Sequence, residues 1–209
     1  MYFYQSYINY ETPYKMKRVA VFCGSSIGFN PIYAEEAKKL GHFLANRSIG
    51  LVYGGGKIGI MGTIADAVME KQGEVIGVIP DLLKHEEVAH TKITKMVVTR
   101  KMSKRKVKIS KLVDGYIALA GGFGTLDELF EALTLGQLGI EVKPVGILNT
   151  NGYFNHTLKQ LDFMLKEGFL KQVNRDMLFV NESIDALITS MNSYKAPYVS
   201  KVVHTVATK

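Results

Sequence analysis

The chain has 209 residues, 47% of them hydrophobic and 22% charged, with 26 Lys and Arg against 19 Asp and Glu for a net charge of +7. This is the composition of one folded domain with a substantial core, and it excludes a disordered chain. The positive balance favours anionic partners, while a single cysteine, Cys23, excludes an internal disulfide and a multi-cysteine metal site and suits a reducing cytoplasm.

Residues 1–16, rich in tyrosine, read as an N-terminal extension, residues 17–195 as a single domain and residues 196–209 as a C-terminal tail. RVAVFCG from Arg18 has the unalternating apolar content of a buried strand, and Asn30 with Pro31 supplies a cap and a first-turn proline for a helix through YAEEAKKLGHFLA. SIGLVYGGG reads as a second strand, IADAVMEKQ as its helix, and EVIGVIP as a third strand stopped by Pro80. ITKMVVT is a fourth strand, MSKRKVKISKLV a helix, GYIALAGG a fifth strand, LDELFEALTLGQL its helix and PVGILN a sixth strand. NHTLKQLDFMLKEG and IDALITSMN carry helical periodicity, with DMLFV a short strand between them. Strands rich in Val, Ile and Leu in alternation with amphipathic helices predict an α/β fold, a doubly wound Rossmann-like parallel sheet with helices on both faces. No run approaches the roughly 18 apolar residues of a membrane span, and no apolar signal region is evident, so neither a membrane partner nor export is expected.

Three strands run into glycine-bearing turns: CGSSIG from Cys23, YGGGKIGIMG from Tyr53 and AGGFGT from Ala120. In a doubly wound fold the carboxyl ends of the strands border the ligand crevice, where glycine lets backbone N–H groups approach an anion. Neither the dinucleotide fingerprint nor a Walker lysine is present, because CGSSIG lacks the glycine spacing, Glu74 stands at a strand start, and Lys57 is followed by Ile58. Hydride transfer and ATP hydrolysis are disfavoured, and a phosphorylated ligand remains.

Two charged residues stand out beside these turns. Glu128 follows Thr125 by three, which fits a capping box and needs no function. Arg105 shares a helix face with Met102, Ile109 and Leu112, whereas Lys104, Lys108 and Lys111 fall on the other side. An inward guanidinium requires an anion, either a protein carboxylate or a ligand phosphate. A phosphate at a helix N-terminus with a carboxylate and an arginine nearby suits chemistry on an adjacent sugar: the carboxylate could stabilise an oxocarbenium-like carbon, hold a ribose hydroxyl or orient water.

GGFGTLDE resembles the P-G-G-x-G-T-x-x-E motif of the LONELY GUY family of cytokinin riboside 5′-monophosphate phosphoribohydrolases, and MSKRK at 102–106 resembles its M-x-x-R-K element. VFCGSS, GGGKIGIMG, EVAH at 87–90 and QLGIEVKPVGILNTNGYFN from Gln137 are similar to further segments, so the likeness runs over roughly residues 18–170. The resemblance implies a Rossmann-type homodimer that cleaves AMP or an N6-substituted AMP to free base and ribose 5-phosphate, without metal or cofactor. It implies that Arg105 and Glu128 are catalytic and that Gly121, Gly122, Gly124 and Thr125 form the phosphate loop. Lys106, Met102 beside the base, and Ser25 and Ser26 of the first turn complete the implied substrate contacts. Ala120, Ser103, Lys101 and Leu135 depart from the family's usual proline, histidine, acid and tryptophan, which bears on base preference. Members of the family have also carried a lysine decarboxylase label, which no residue set in this chain supports.

Two other function classes compete with hydrolysis. One is a nucleotide-binding sensor that does not turn over. The other, nucleic-acid binding through RKMSKRKVK, is disfavoured because its lysines form one helix face without interleaved aromatics. The five histidines show no metal-ligand spacing, and no Ser-His-Asp set is present.

Overall fold

A computed structural model describes residues 15–84 and 89–195. Much of the predicted N-terminal extension, the C-terminal tail, Glu87 and Val88 of the EVAH segment, and His85 and His204 lie outside the described residues. Seven strands form one sheet: β1 (Arg18–Phe22), β2 (Gly50–Tyr53), β3 (Val75–Pro80), β4 (Lys95–Thr99), β5 (Gly115–Ala118), β6 (Val145–Leu148) and β7 (Leu178–Asn181). Their order is β4-β3-β2-β1-β5-β6-β7 and every pairing is parallel. The order reverses between β1 and β5, which opens the crevice at the carboxyl ends of those two strands.

The helices divide between the two faces as the alternating side chains of β1 dictate. Val19 and Val21 pack with Leu40 and Leu44 of α1 (Ile32–Asn46), Ile64 and Val68 of α2 (Gly59–Glu70), and Leu187 and Met191 of α8 (Ile184–Asn192). Ala20 and Phe22 face Ile109 of α4 (Met102–Ser110), Leu129 of α5 (Phe123–Gln137) and Leu161 of α6 (Asn155–Lys166). Each such buried aliphatic side chain stabilises the fold by roughly 1.5–3 kcal/mol relative to exposure. Two short helices, α3 (Asp81–Lys84) and α7 (Gln172–Arg175), and a 3₁₀ turn at Thr150–Gly152 complete the described elements.

All seven expected strands form, and the doubly wound prediction holds. The caps hold in part. Asn30 Oδ1 accepts from the Ile32 N–H at 3.1 Å, so the Asn-Pro start works as expected. Glu74 is held in a bidentate pair by Arg18, at 2.7 and 2.9 Å, at the amino ends of β1 and β3. That location is the far end of the sheet from the crevice, which removes Glu74 from any ribose-binding role. Met16, although assigned to the extension, is buried against Gly115.

Candidate active site

The three glycine turns meet at the reversal point of the sheet. The Gly24 N–H donates to the Ala120 carbonyl at 3.0 Å, and the Met61 and Ile60 N–H groups donate to the carbonyls of Gly24 and Ser26. Gly59, at φ +65°, sits so close to Ser25 that a Cβ would collide with the Ser25 backbone. Gly121 is equally constrained, since a Cβ there would strike Thr125 Oγ1 and approach Gly24 N to 2.8 Å. These glycines exist to let one turn lie on another.

Gly122 and Gly124 differ. Gly122 has an extended conformation at φ −92°, and a Cβ at either position would meet nothing within 4 Å. Neither packing nor backbone strain requires glycine there. Both line a cleft of about 350 Å³ together with Ser25, Phe123 and Thr125. The first-turn N–H groups of α5 have no intrahelical acceptors, and a side chain at 122 or 124 would intrude on the space they face. Gly124→Ala should therefore leave the fold intact or firmer, by up to about 1 kcal/mol from helix propensity, while weakening nucleotide binding. Thermal unfolding beside a KM measurement separates the two effects; an unchanged KM would mean that the space is not used.

The capping box does not form. Helix α5 starts at Phe123 with Gly122 at its cap and no side-chain cap, so Thr125 lies inside the first turn, 3% exposed. Glu128, one turn on, points instead at Arg105. Arg105 Nη1 lies 2.8 Å from Glu128 Oε1, and the two side chains are 14% and 11% exposed. The approach is off the hydrogen-bond axis, and Oε1 is buried without a well-directed donor. Burial raises the Glu128 carboxyl above its ordinary range, opposed by the charges of Arg105 and Lys106.

The rest of the guanidinium is fixed by the fold. Nε donates to the Val78 carbonyl of β3 at 3.0 Å, and Nη1 also reaches Met102 Sδ at 3.7 Å. Nη2 lies beside Gly54, where a Cβ would fall 2.6 Å from it. Among the described residues Nη2 has no hydrogen-bond acceptor, and it is left at the cleft that Gly54 and Arg105 both line. Arg105 is thus the inward residue of α4, as the periodicity predicts, with Ile109 buried beneath it. Met102 is half exposed at the cleft edge.

Lys106 is held by Asp127 at 2.7 Å and Glu131 at 2.6 Å, a second link between α4 and α5. Burial would lower its pKa, but the two carboxylates outweigh this and raise it. It is the one lysine in the cleft lining, and a protonated, doubly paired ammonium is a poor nucleophile for a Schiff base. Cys23, on the cleft floor, is buried and its thiol is pushed well up, first by burial and then by the Glu128 charge, so it too is no nucleophile.

The cleft brings together Ser25, Met102, Arg105, Lys106, Gly122, Gly124, Thr125 and Glu128. Ser26 and Gly121 stand behind its lining; Ser26 Oγ accepts from the Gly28 N–H at 3.2 Å, and Gly121 serves turn packing. Gly54, Met61, Phe123 and Asp127 join the lining without having been singled out from sequence. All four lie inside stretches already quoted, Gly54 and Met61 in the YGGGKIGIMG turn, Phe123 in AGGFGT and Asp127 in GGFGTLDE, but no pattern marked them individually. Among the described residues no group of His, Cys, Asp and Glu could hold a metal ion, and no helix is long and apolar enough to cross a membrane.

A family profile described as "Possible lysine decarboxylase" matches residues 61–191. Three proteins of Arabidopsis thaliana named cytokinin riboside 5′-monophosphate phosphoribohydrolase align over most of the chain. LOG7 is 40% identical over 188 residues, covering 90% of this chain and 87% of that protein. LOG1 is 42% identical over 184 residues, 88% and 86% of the two chains, and LOG2 is 38% identical over 196 residues, 92% of each. Among solved structures, the molybdenum cofactor binding protein of Rippkaea orientalis superposes with a TM-score of 0.64 at 23% identity, covering 84% of this chain and 95% of that one. The molybdenum cofactor carrier protein of Chlamydomonas reinhardtii gives 0.63 at 21% identity, with 83% and 94% covered. These two likenesses establish a shared fold.

Proposed function

We infer what the chain does from its kinship: it belongs to the family of cytokinin riboside 5′-monophosphate phosphoribohydrolases, whose profile also bears the lysine decarboxylase description. It is a hydrolase that cleaves the N-glycosidic bond of a nucleoside 5′-monophosphate, AMP or an N6-substituted AMP, to free base and ribose 5-phosphate. The observation that carries this reading is the buried Arg105–Glu128 pair set across a cleft from the open amide end of α5.

The chemistry follows from that placement. The 5′-phosphate takes the N–H groups at the start of α5, where the helix dipole favours an anion. The ribose then lies over Glu128. As the C1′–N bond breaks, the carboxylate stabilises positive charge at C1′ and accepts a proton from the water that adds there; the base leaves with the electron pair of the bond and a proton from solvent. Arg105 opposes the rise that burial imposes on the Glu128 carboxyl and offers Nη2 to the substrate. A lysine decarboxylase would need a lysine free to form a Schiff base, which this cleft does not supply.

The site assignments of Ser25, Ser26, Met102, Lys106 and the 121–125 loop belong to the same proposal, as does a cytoplasmic location, which the buried free thiol suits. A homodimer completes it: Val107, Leu138, Ile140 and Val142 are each more than half exposed and give α4 and the end of α5 an apolar surface for a second copy. The test is a panel of nucleoside monophosphates incubated with the protein and assayed for liberated base. AMP or an N6-substituted AMP should release base, and lysine should release no carbon dioxide. Tight nucleotide binding with no base released over hours would instead make the protein a sensor.

A further inference from the structure

The hydroxyl of Tyr153 donates a 2.7 Å hydrogen bond to the carbonyl of Gly121, a residue 32 positions away in the phosphate loop. The ring that carries it is held in place from two sides. Tyr33 meets it edge-on at 5.4 Å and Phe154 at 5.1 Å between centroids. The backbone beneath it is fixed as well. Buried Asn149 accepts from the Phe154 N–H at 2.8 Å through Oδ1, donates to Asn155 Oδ1 at 2.9 Å, and its own N–H donates to the Asn181 carbonyl of β7 at 2.8 Å. A 3₁₀ turn with Asn151 in the left-handed region, φ +52°, closes this platform.

A trans peptide points its C=O and its N–H in opposite directions. Anchoring the Gly121 carbonyl on Tyr153 therefore turns the Gly122 N–H to the other side of the peptide plane, where Gly122 lines the cleft. Among the described residues no other hydrogen bond reaches the Gly121 carbonyl. Gly121 and Gly122 lack side chains, and the neighbouring Ala120 carbonyl is already used by the Gly24 N–H. We propose that Tyr153 is a positioning residue for phosphate recognition: its hydroxyl orients the first amide of the loop toward the 5′-phosphate, without itself touching substrate. The proposal rests on the reading that the α5 end takes the phosphate.

Tyr153→Phe tests it, because the ring and its contacts remain. Calorimetric titration with inorganic phosphate and with ribose 5-phosphate should show affinity about three- to tenfold weaker than wild type, the range of one net hydrogen bond at a site that water can reach. KM for AMP should rise by the same factor with kcat within about twofold, and hydrolysis of adenosine, which has no phosphate, should be unchanged. Tyr33→Phe, which keeps the same ring contact and was never in the hydrogen bond, should bind phosphate as wild type does. Unchanged phosphate and ribose 5-phosphate affinity in Tyr153→Phe would overturn the proposal, as would an equal loss with adenosine, since that would make the tyrosine a general structural support. Wild-type protein that binds phosphate but releases no base from AMP would refute the hydrolase reading alone, leaving the titrations to judge Tyr153.

Discussion

Glu128→Gln is expected to reduce base release from AMP by about 10²- to 10⁴-fold, the range for a general base and charge stabiliser acting at the reacting centre. The amide fills the same volume but can neither carry the negative charge that a cationic C1′ requires nor accept a proton from water. Folding should be spared. The side chain is 11% exposed, Arg105 keeps its bond to the Val78 carbonyl, and the substitution removes a carboxylate whose ionisation burial already opposes. A melting temperature within a few degrees of wild type and an unaltered affinity for ribose 5-phosphate would place the loss in the chemical step. Wild-type turnover in Glu128→Gln would return this residue to a structural role.

Arg105→Ala should cost about 10²- to 10³-fold in activity, comparable to the loss of one preorganised donor, and Arg105→Lys should recover little of it. A lysine offers one ammonium where the guanidinium divides its work among the Val78 carbonyl, Glu128 and the cleft. The alanine variant also makes a prediction about stability. Burial raises the folded pKa of Glu128 above its unfolded value, and Arg105 opposes that rise. In the window between the two pKa values the folded state holds the proton more tightly, so stability falls as pH increases through the window and levels off above it. Removing Arg105 lifts the folded pKa and extends the window upward. The melting-temperature deficit of Arg105→Ala should accordingly be smallest where the carboxyl is protonated in both folded and unfolded states and grow as pH rises above the unfolded value. A deficit that shrinks with rising pH would mean that Glu128 does not rely on Arg105 for its charge.

The fold was legible because its strands are apolar runs of four to six residues and its helices have one apolar face, patterns that depend only on neighbours in sequence. Arg105 was legible for the same reason: three apolar residues share its helical face. Its partner Glu128 was legible only through the motif resemblance: by local pattern Thr125 and Glu128 satisfy the rule for a cap, and only the start of α5 at Phe123, three residues before Leu126, frees the carboxylate for α4. Lys106, Asp127 and Glu131 come together across two helices whose relative tilt no local pattern specifies. The anchoring of Gly121 by Tyr153 spans 32 residues and depends on how β6 meets the turn after β5, so it too appears only in three dimensions. Ser26 and Gly121, which the motif singled out, lie just outside the cleft lining, where Ser26 Oγ accepts from the Gly28 N–H and Gly121 packs against Thr125 and Gly24.

Half of the proposed catalytic pair rides on α4, a nine-residue helix with one buried side chain, Ile109, and no side-chain cap at its start. Its purchase on the body of the protein is correspondingly slight, and much of what keeps it seated is the double ionic grip of Lys106 together with the reach of Arg105 to β3. Warming would loosen this helix before the central sheet gives way. The upper temperature of activity is then expected to follow the seating of this one short segment, and added salt, which weakens ionic grips, to lower that temperature before the sheet unfolds.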